Sequence, residues 1–546
     1  MFSGAHPRRT VLTVALLLVI VFAVLSPCLE SGFFPFWDDG MYLLGNPQVR
    51  SLSAKNIVNI FRTTVLDTYV PLTVLSFAVE YHFFGFDPFV YHLNNLFLHL
   101  AVTLGVFILA RQMGFSFWAA WTGALLFGIH PMRVESVAWI TERKDVLYAC
   151  FYIAALNVYW GYLQSGRRSL FWITAGLGFL SLLAKPMALS LPLILLVLDW
   201  YARRSWRPGV LIEKAVLLIY IVPLTWITYT AFIRNPIRNL DGAFLSWIWS
   251  FLFYLRKFLW PLFLTPDYYI PQPVSLAHIE YSGSVLVFFL LLALAWRWRA
   301  DRALGLAVLF YFCSIFFLLR FDIRQDYCFV ADRFMYLPSL GICLWLGGKV
   351  RDLCHRRPTW LWVVAAVFLL LAIKSYWQGR LWKNNLVFWN YVIRHNPQSY
   401  AGYGNRGHIY RGLNQKDLAL AEFKKSTDLY PHLAVGWEAQ GNILQEAGHW
   451  PQALACYNKV IDIEPNNIKV YNKRAIVYRR MGRLDLAIKD LSTAIELNPR
   501  DPDPYETRGR LYREMGREKQ AIADFRRAAK ARNGRPQENE SEFNRL

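Results

Sequence analysis

Through its first 380 residues the chain alternates long apolar stretches with short polar joints. A membrane span takes about 20 mostly apolar residues, wound as a helix because lipid offers the backbone no hydrogen-bond partner. Stretches centred on 11–28, 91–110, 116–131, 146–163, 170–184, 187–201, 211–232, 283–297, 303–320, 336–350 and 360–377 predict about eleven spans. The two short ones at 170–184 and 187–201 form a tight hairpin around Lys185-Pro186. Residues 244–265 are apolar as well, but Arg256, Lys257 and two prolines interrupt or flank them, so they read as an interfacial or re-entrant segment. The first run, Val11 to Leu25 behind Arg8 and Arg9, has the outline of a signal peptide, and Leu25-Ser26-Pro27-Cys28 that of a lipoprotein cleavage box. Pro27 beside the cysteine and the spans that follow favour an uncleaved first span.

Beyond residue 397 the pattern changes to a period of 34. Pro397, Pro431, Pro465 and Pro499 keep that step, as do Tyr403, Trp437, Tyr471 and Tyr505. So do Ala419, Ala453, Ala487 and Ala521, and the bulky set Phe423, Tyr457, Leu491 and Phe525. An early aromatic, small residues at helix crossings and a closing proline resemble tetratricopeptide repeats, which stack as paired helices into an α-solenoid with a concave groove. Four repeats are expected over 398–535, with Gly407, Gly441, Ala475 and Gly509 letting paired helices approach. Arg406, Gln440, Arg474 and Arg508 stand where leucine is usual, a departure expected to loosen each unit. Groove positions should include His408, Arg411, Asn442, Arg479, Arg510 and Arg513, which suit an acidic or extended peptide; the plainer reading is that these arginines only solvate the surface. Asn533 replaces the expected last proline, and residues 536–546 read as a disordered tail. The domains are therefore 1–380 in the membrane, 398–535 as repeats, and the tail.

Composition agrees with a membrane body: 55% of residues are hydrophobic and 16% aromatic, an average that already includes the polar repeats. The formal net charge of +21 would suit nucleic acid. The basic residues instead form short clusters between apolar runs: Arg8/Arg9, Arg111, Arg167/Arg168, Arg203/Arg204/Arg207, Arg297/Arg299/Arg302 and Lys349/Arg351/Arg356/Arg357. They fall on alternate loops, the cytoplasmic ones by the positive-inside rule, so no nucleic-acid partner is expected. Loops 29–90, 130–145, 233–282 and 321–335 then face the periplasm or a lumen. An odd number of spans puts the repeats on that side too. Seven cysteines without a CxxC pair indicate neither a zinc site nor a disulfide framework.

The outer loops hold the unusual polar residues. Asp38 and Asp39 follow the first span; adjacent carboxylates raise one another's pKa, and one so placed can take a proton from a hydroxyl. The plainer reading is a helix cap. His130-Pro131-Met132-Arg133-Val134-Glu135 leads to Glu142-Arg143-Lys144-Asp145, ionisable residues at a membrane boundary that mark either a site or interfacial anchoring. A third cluster runs from Asp326 to Pro338, where Arg333 at a span entrance could hold a phosphate through paired donors, and Lys185 could do so as a point charge. Either could equally be a snorkelling residue.

Four ordered motifs carry a resemblance: WDDGMYLLGNP, YVPLTVLSFAVEYHFFGFDPFVYHLNNLFLHL, HPMRVESVAWITERKDVLY and DRFMYLPS. In that succession, with the repeats behind them, the chain resembles the transmembrane and tetratricopeptide repeat-containing proteins and their bacterial relatives. The resemblance implies an all-α, multispan C-type glycosyltransferase, similar to protein O-mannosyltransferases, that takes a mannose-like sugar from a polyprenyl phosphate on the outer side of the membrane. It further implies Asp38 as base with Asp39 orienting it or meeting the acceptor, though Asp-Asp stands where protein O-mannosyltransferases usually have Asp-Glu. His130 and Glu135 match the second loop, and Arg143, Lys144, Lys185 and Arg333 are the cations for substrate phosphate. No cofactor is required: two adjacent acids have the donors for a divalent cation, yet arginine alone can neutralise phosphate. The implied partners are the lipid-linked sugar, an acceptor protein or peptide held by the repeats, and membrane lipids, in a bacterial inner membrane. Two alternatives are a non-catalytic scaffold that recruits envelope proteins through its repeats, and a polymerase or ligase using a diphosphate-linked oligosaccharide.

Overall fold

A computed structural model describes residues 7–232, 240–316 and 330–533. Asp326 to Phe329 of the third polar cluster and the 536–546 tail lie outside them. The chain divides into two compact units, Met1–Asn396 and Pro397–Leu546. The fold is all-α; apart from helices and turns, the described residues make two isolated bridges, Val65 with Thr68 and Tyr268 with Val330.

In the first unit a helix occupies each of the eleven apolar stretches. Six helices are long and apolar enough to cross a membrane: Arg8–Glu30, Pro88–Gln112, Ile140–Ser165, Pro208–Thr228, Ile279–Arg297 and Trp360–Leu381. Four shorter apolar helices are Phe117–Ile129, Arg168–Ala184, Pro186–Tyr201 and Arg302–Ile315. The remaining stretch forms Leu340–Arg356, whose second half carries Lys349, Arg351 and Asp352. The segment read as interfacial is a helix, Leu240–Leu259; past its end Lys257 Nζ donates to the carbonyls of Leu262 (3.0 Å) and Phe263 (3.2 Å). Small residues bring helices together where lipid gives no hydrophobic drive. A Cβ added to Gly347 would sit 2.4 Å from the Ala119 carbonyl, so Leu340–Arg356 and Phe117–Ile129 meet backbone to backbone.

In the second unit eight helices run from Tyr400–Gly412 to Glu518–Asn533 and pair successively. A Cβ on Gly441 would meet the Tyr457 ring at 2.6 Å. Gly407 and Gly509 face Phe423 and Phe525 in the same way, whereas Ala475 belongs to the repeat with the slimmer Leu491. The arginines at the leucine position do not loosen the repeats. Arg406 pairs with Glu422, Arg474 with Asp490 and Arg508 with Asp524, each bidentate. Gln440 instead donates to Thr427 and the Phe423 carbonyl.

Candidate active site

Helix ends from distant parts of the first unit converge on one charged cluster. The loop after Pro7–Leu25 brings Asp38, the end of Arg168–Ala184 brings Lys185, the start of Arg143–Ser165 brings Lys144 and Asp145, and the turn before Leu340–Arg356 brings Arg333. Glu142 joins them. Its carboxylate lies 3.4 Å from Lys144 Nζ, 3.3 Å from Lys185 Nζ and 3.3 Å from Arg333 Nε. Asp38 Oδ2 is 3.5 Å from Lys144 Nζ, which also stands 4.3 Å over the Tyr42 ring. Lys185 reaches Asp145 at 2.6 Å, and Ser136 donates to the other Asp145 oxygen at 3.1 Å. Arg333 Nη1 meets Glu135 Oε1 at 2.6 Å while its backbone N–H donates to Oε2 at 3.0 Å. Four carboxylates therefore face three cations, and no cation of the cluster waits unpaired for a phosphate.

Exposure separates the members. Asp38 keeps 24% of its side-chain surface and Arg333 18%; Lys144, Lys185, Glu135, Glu142 and Asp145 keep 10% or less. Burial raises the Asp38 carboxyl above its ordinary range, and the Lys144 cation opposes that. Asp39 is fully buried and contacts different groups: it accepts from the backbone N–H of Phe34 (2.9 Å) and of Thr141 (3.2 Å). Burial pushes it to about 7 against those amides. It pins the Asp38 loop to the 139–142 turn, so the pair does not form one shared cation site. Among the described residues no group of three or more His, Cys, Asp or Glu side chains has the arrangement of a metal site.

Two expected members stand apart. Arg143 is buried in a bidentate pair with Glu80 (2.6 and 3.2 Å) and also holds Asn95 and the Tyr91 carbonyl. It fastens the loop to helices Pro71–Phe84 and Pro88–Gln112. His130 stacks on Phe258, donates from Nε2 to the Phe258 carbonyl at 2.9 Å, and accepts at Nδ1 from the Met132 N–H. Both act as braces, as does Arg133, which reaches the carbonyls of Phe127 and Met335. Glu142 and Asp145 were missed as site members. Their signal was the acid–base–base–acid run at the mouth of a span, which placed four charges where only the helix start could sort them.

The groove positions of the repeats are engaged as well. Arg411 pairs with Glu446, Arg479 with Glu514, Arg510 with Glu506 and Arg513 with Glu518. His408 packs edge-on against Phe423, and Asn442 accepts from the Tyr457 hydroxyl. These arginines are balanced within the chain, which weakens the case for an acidic peptide.

Several apolar helices, a charged cluster at their ends and a helical repeat array define a multi-pass membrane protein with tetratricopeptide repeats; profiles of the tetratricopeptide repeat match residues 440–505, 400–433 and 502–534. The chain is homologous to proteins named protein O-mannosyl-transferases. It is 25% identical over 410 residues to F38B6.6 of Caenorhabditis elegans, covering 68% of this chain and 56% of that one. To Tmtc3 of Drosophila melanogaster it is 23% identical, covering 68% and 50%, and to human TMTC3 22%, covering 68% and 46%. The chain spans about half the length of the curated relatives it matches. Among solved structures, one titled "Crystal structure of MamA" is 20% identical and covers 27% of this chain and 86% of that one, with a TM-score of 0.26.

Proposed function

We propose that the chain is an inverting membrane glycosyltransferase that moves a mannose-like hexose from a polyprenyl-phosphate donor to a hydroxyl on protein. The single observation that supports it most is the run Asp38–Lys144–Glu142–Arg333, in which the most open acid and the most open cation of a buried network share one chain of ion pairs. A scaffold has no use for so many buried charges, each costly to desolvate. The names of the relatives favour O-mannosylation.

In the reaction Asp38 accepts the proton of the acceptor hydroxyl as its oxygen bonds to the anomeric carbon from the face opposite the phosphate. The carbon–oxygen bond to phosphate breaks, and its electron pair stays on the phosphate. The departing anion meets Arg333, the cation of the cluster with the most open side chain, beside its pairs with Glu135 and Glu142. Lys144 and Lys185 add their field from behind Glu142. Asp39 holds the Asp38 loop in place. The reaction takes place on the non-cytoplasmic side, the periplasmic face of a bacterial inner membrane or a lumen, with the repeats on that side holding the acceptor.

Asp38→Asn tests the proposal. In membranes supplied with polyprenyl-phosphate mannose and an acceptor peptide, transfer should fall roughly 100-fold or more at equal protein level, the range for losing a general base. Undiminished transfer removes Asp38 from the chemistry. If the unaltered protein transfers no sugar while its repeats still capture envelope proteins, the scaffold reading stands instead.

A further inference from the structure

Beside the cluster lies a cavity of about 10 Å3, room for one water-sized group. Glu135, Pro266, Asp332, Gln378 and Trp382 line it. Three of these lining residues each carry a buried polar atom with no hydrogen-bond partner: Asp332 Oδ1, Gln378 Oε1 and Trp382 Nε1. Their residues are at most 5% exposed. Each is fixed by another contact. Asp332 Oδ2 accepts from the Tyr268 hydroxyl at 2.8 Å, Gln378 Nε2 donates to the Leu264 carbonyl at 3.1 Å, and the Trp382 indole packs 4.3 Å from Phe388. Buried polar groups without partners are costly, so three on residues that share one small cavity call for a group that completes them.

We propose that this cavity receives one hydroxyl of the transferred sugar, and that Asp332, Gln378 and Trp382 select the donor by it. The inference rests on the glycosyltransferase reading above. A hydroxyl both donates and accepts, matching lining residues that offer an indole N–H, an amide oxygen and a carboxyl; a lipid tail or an apolar side chain matches none of them. Burial raises the Asp332 carboxyl to about 7, which lets it donate as well, so that one hydroxyl can satisfy all three groups. The group cannot be the attacking hydroxyl, which must reach Asp38. Asp38 does not line the cavity. The Trp37 indole next to it stacks on Trp139 at 3.6 Å, and Trp139 in turn stacks towards Trp382 at 6.2 Å. The cavity is nonetheless one side chain from the phosphate cation. Arg333 pairs with Glu135 in its wall and lies 3.4 Å from the Pro266 carbonyl.

The test compares kcat/KM for polyprenyl-phosphate mannose and its 2-, 3-, 4- and 6-deoxy analogues, using the full chain in membranes. A site built to bond a hydroxyl rejects the analogue lacking it, so one deoxy donor should be transferred roughly 10- to 100-fold less well. Trp382→Phe and Gln378→Met should each bring that one ratio towards unity and leave the other deoxy ratios unchanged. Because the readout is a ratio within each variant, a general loss of folded enzyme does not move it. Equal use of every deoxy donor, or an unchanged ratio in both variants, means that a structural water fills the cavity and overturns the inference alone. No transfer of intact mannose by the unaltered protein defeats both this inference and the reading beneath it.

Discussion

Asp38 and Asp39 are neighbours in sequence with opposite surroundings. Asp39 spends both oxygens on backbone amides, while Asp38 faces a lysine and keeps access to solvent. Of the two, only Asp38 keeps an open side chain, and as the proposed base it must be ionised to take a proton from an incoming hydroxyl. Its pKa is raised by burial, so kcat/KM should climb about tenfold per pH unit and level off above a midpoint higher than the ordinary 3.8. Lys144 opposes the burial. Lys144→Gln should therefore move the midpoint further up, and a pH profile of both proteins checks the sign. A downward shift would mean that Lys144 does not act on Asp38. The residue types of this site were readable beforehand because few charges border the spans. Their division of labour was not. Arg143 looks as suitable for phosphate as Arg333, and its burial against Glu80, 63 positions away, sets it apart from the more open Arg333. That lone carboxylate in an apolar stretch was the available signal, since a buried charge needs a partner.

At the scale of elements the two units were legible to different degrees. Each apolar stretch became a helix because a bilayer leaves the backbone no other way to satisfy itself. The ends were less legible: Arg143–Ser165 starts three residues before the apolar stretch, drawing Arg143, Lys144 and Asp145 into its first turn. In the repeats the period gave the helices, but the arginine at the leucine position was misread as a loss of packing. Its partner lies 16 residues on, in the next helix, as Glu422, Asp490 or Asp524; the repeat with Gln440 has Cys456 there instead. The two positions change together within one chain. Arg474→Leu alone should thus leave Asp490, 5% exposed, without its cation. It should destabilise the third repeat by about 3 kcal/mol, whereas Arg474→Leu with Asp490→Ala should recover most of that loss. Hydrogen exchange over 468–497 in the full chain measures both. Equal exchange in the single and double variants would show that the pair is not coupled.

Across the first unit, charge collects at two opposite ends of the helices. One end carries the Asp38 cluster. The other joins Arg204 to Asp199 and Glu213, Arg302 to the Trp200 and Tyr201 carbonyls, and Lys349 to Asp301. The basic excess lies on this second rim, which the positive-inside rule assigns to the cytoplasm. Eleven crossings would then return the chain to the first rim's side before the repeats begin. Single cysteines in a cysteine-free chain test this with a membrane-impermeant thiol reagent, at the exposed positions Lys55, Ser205 and Lys425. In intact spheroplasts of a bacterial host, Lys55→Cys and Lys425→Cys should label, and Ser205→Cys only after permeabilisation. Labelling of 425 together with 205 would make the number of crossings even and separate the repeats from the site by the membrane. An acceptor held by the repeats could not then reach Asp38, so the proposed division between holding and transfer depends on 55 and 425 labelling alike.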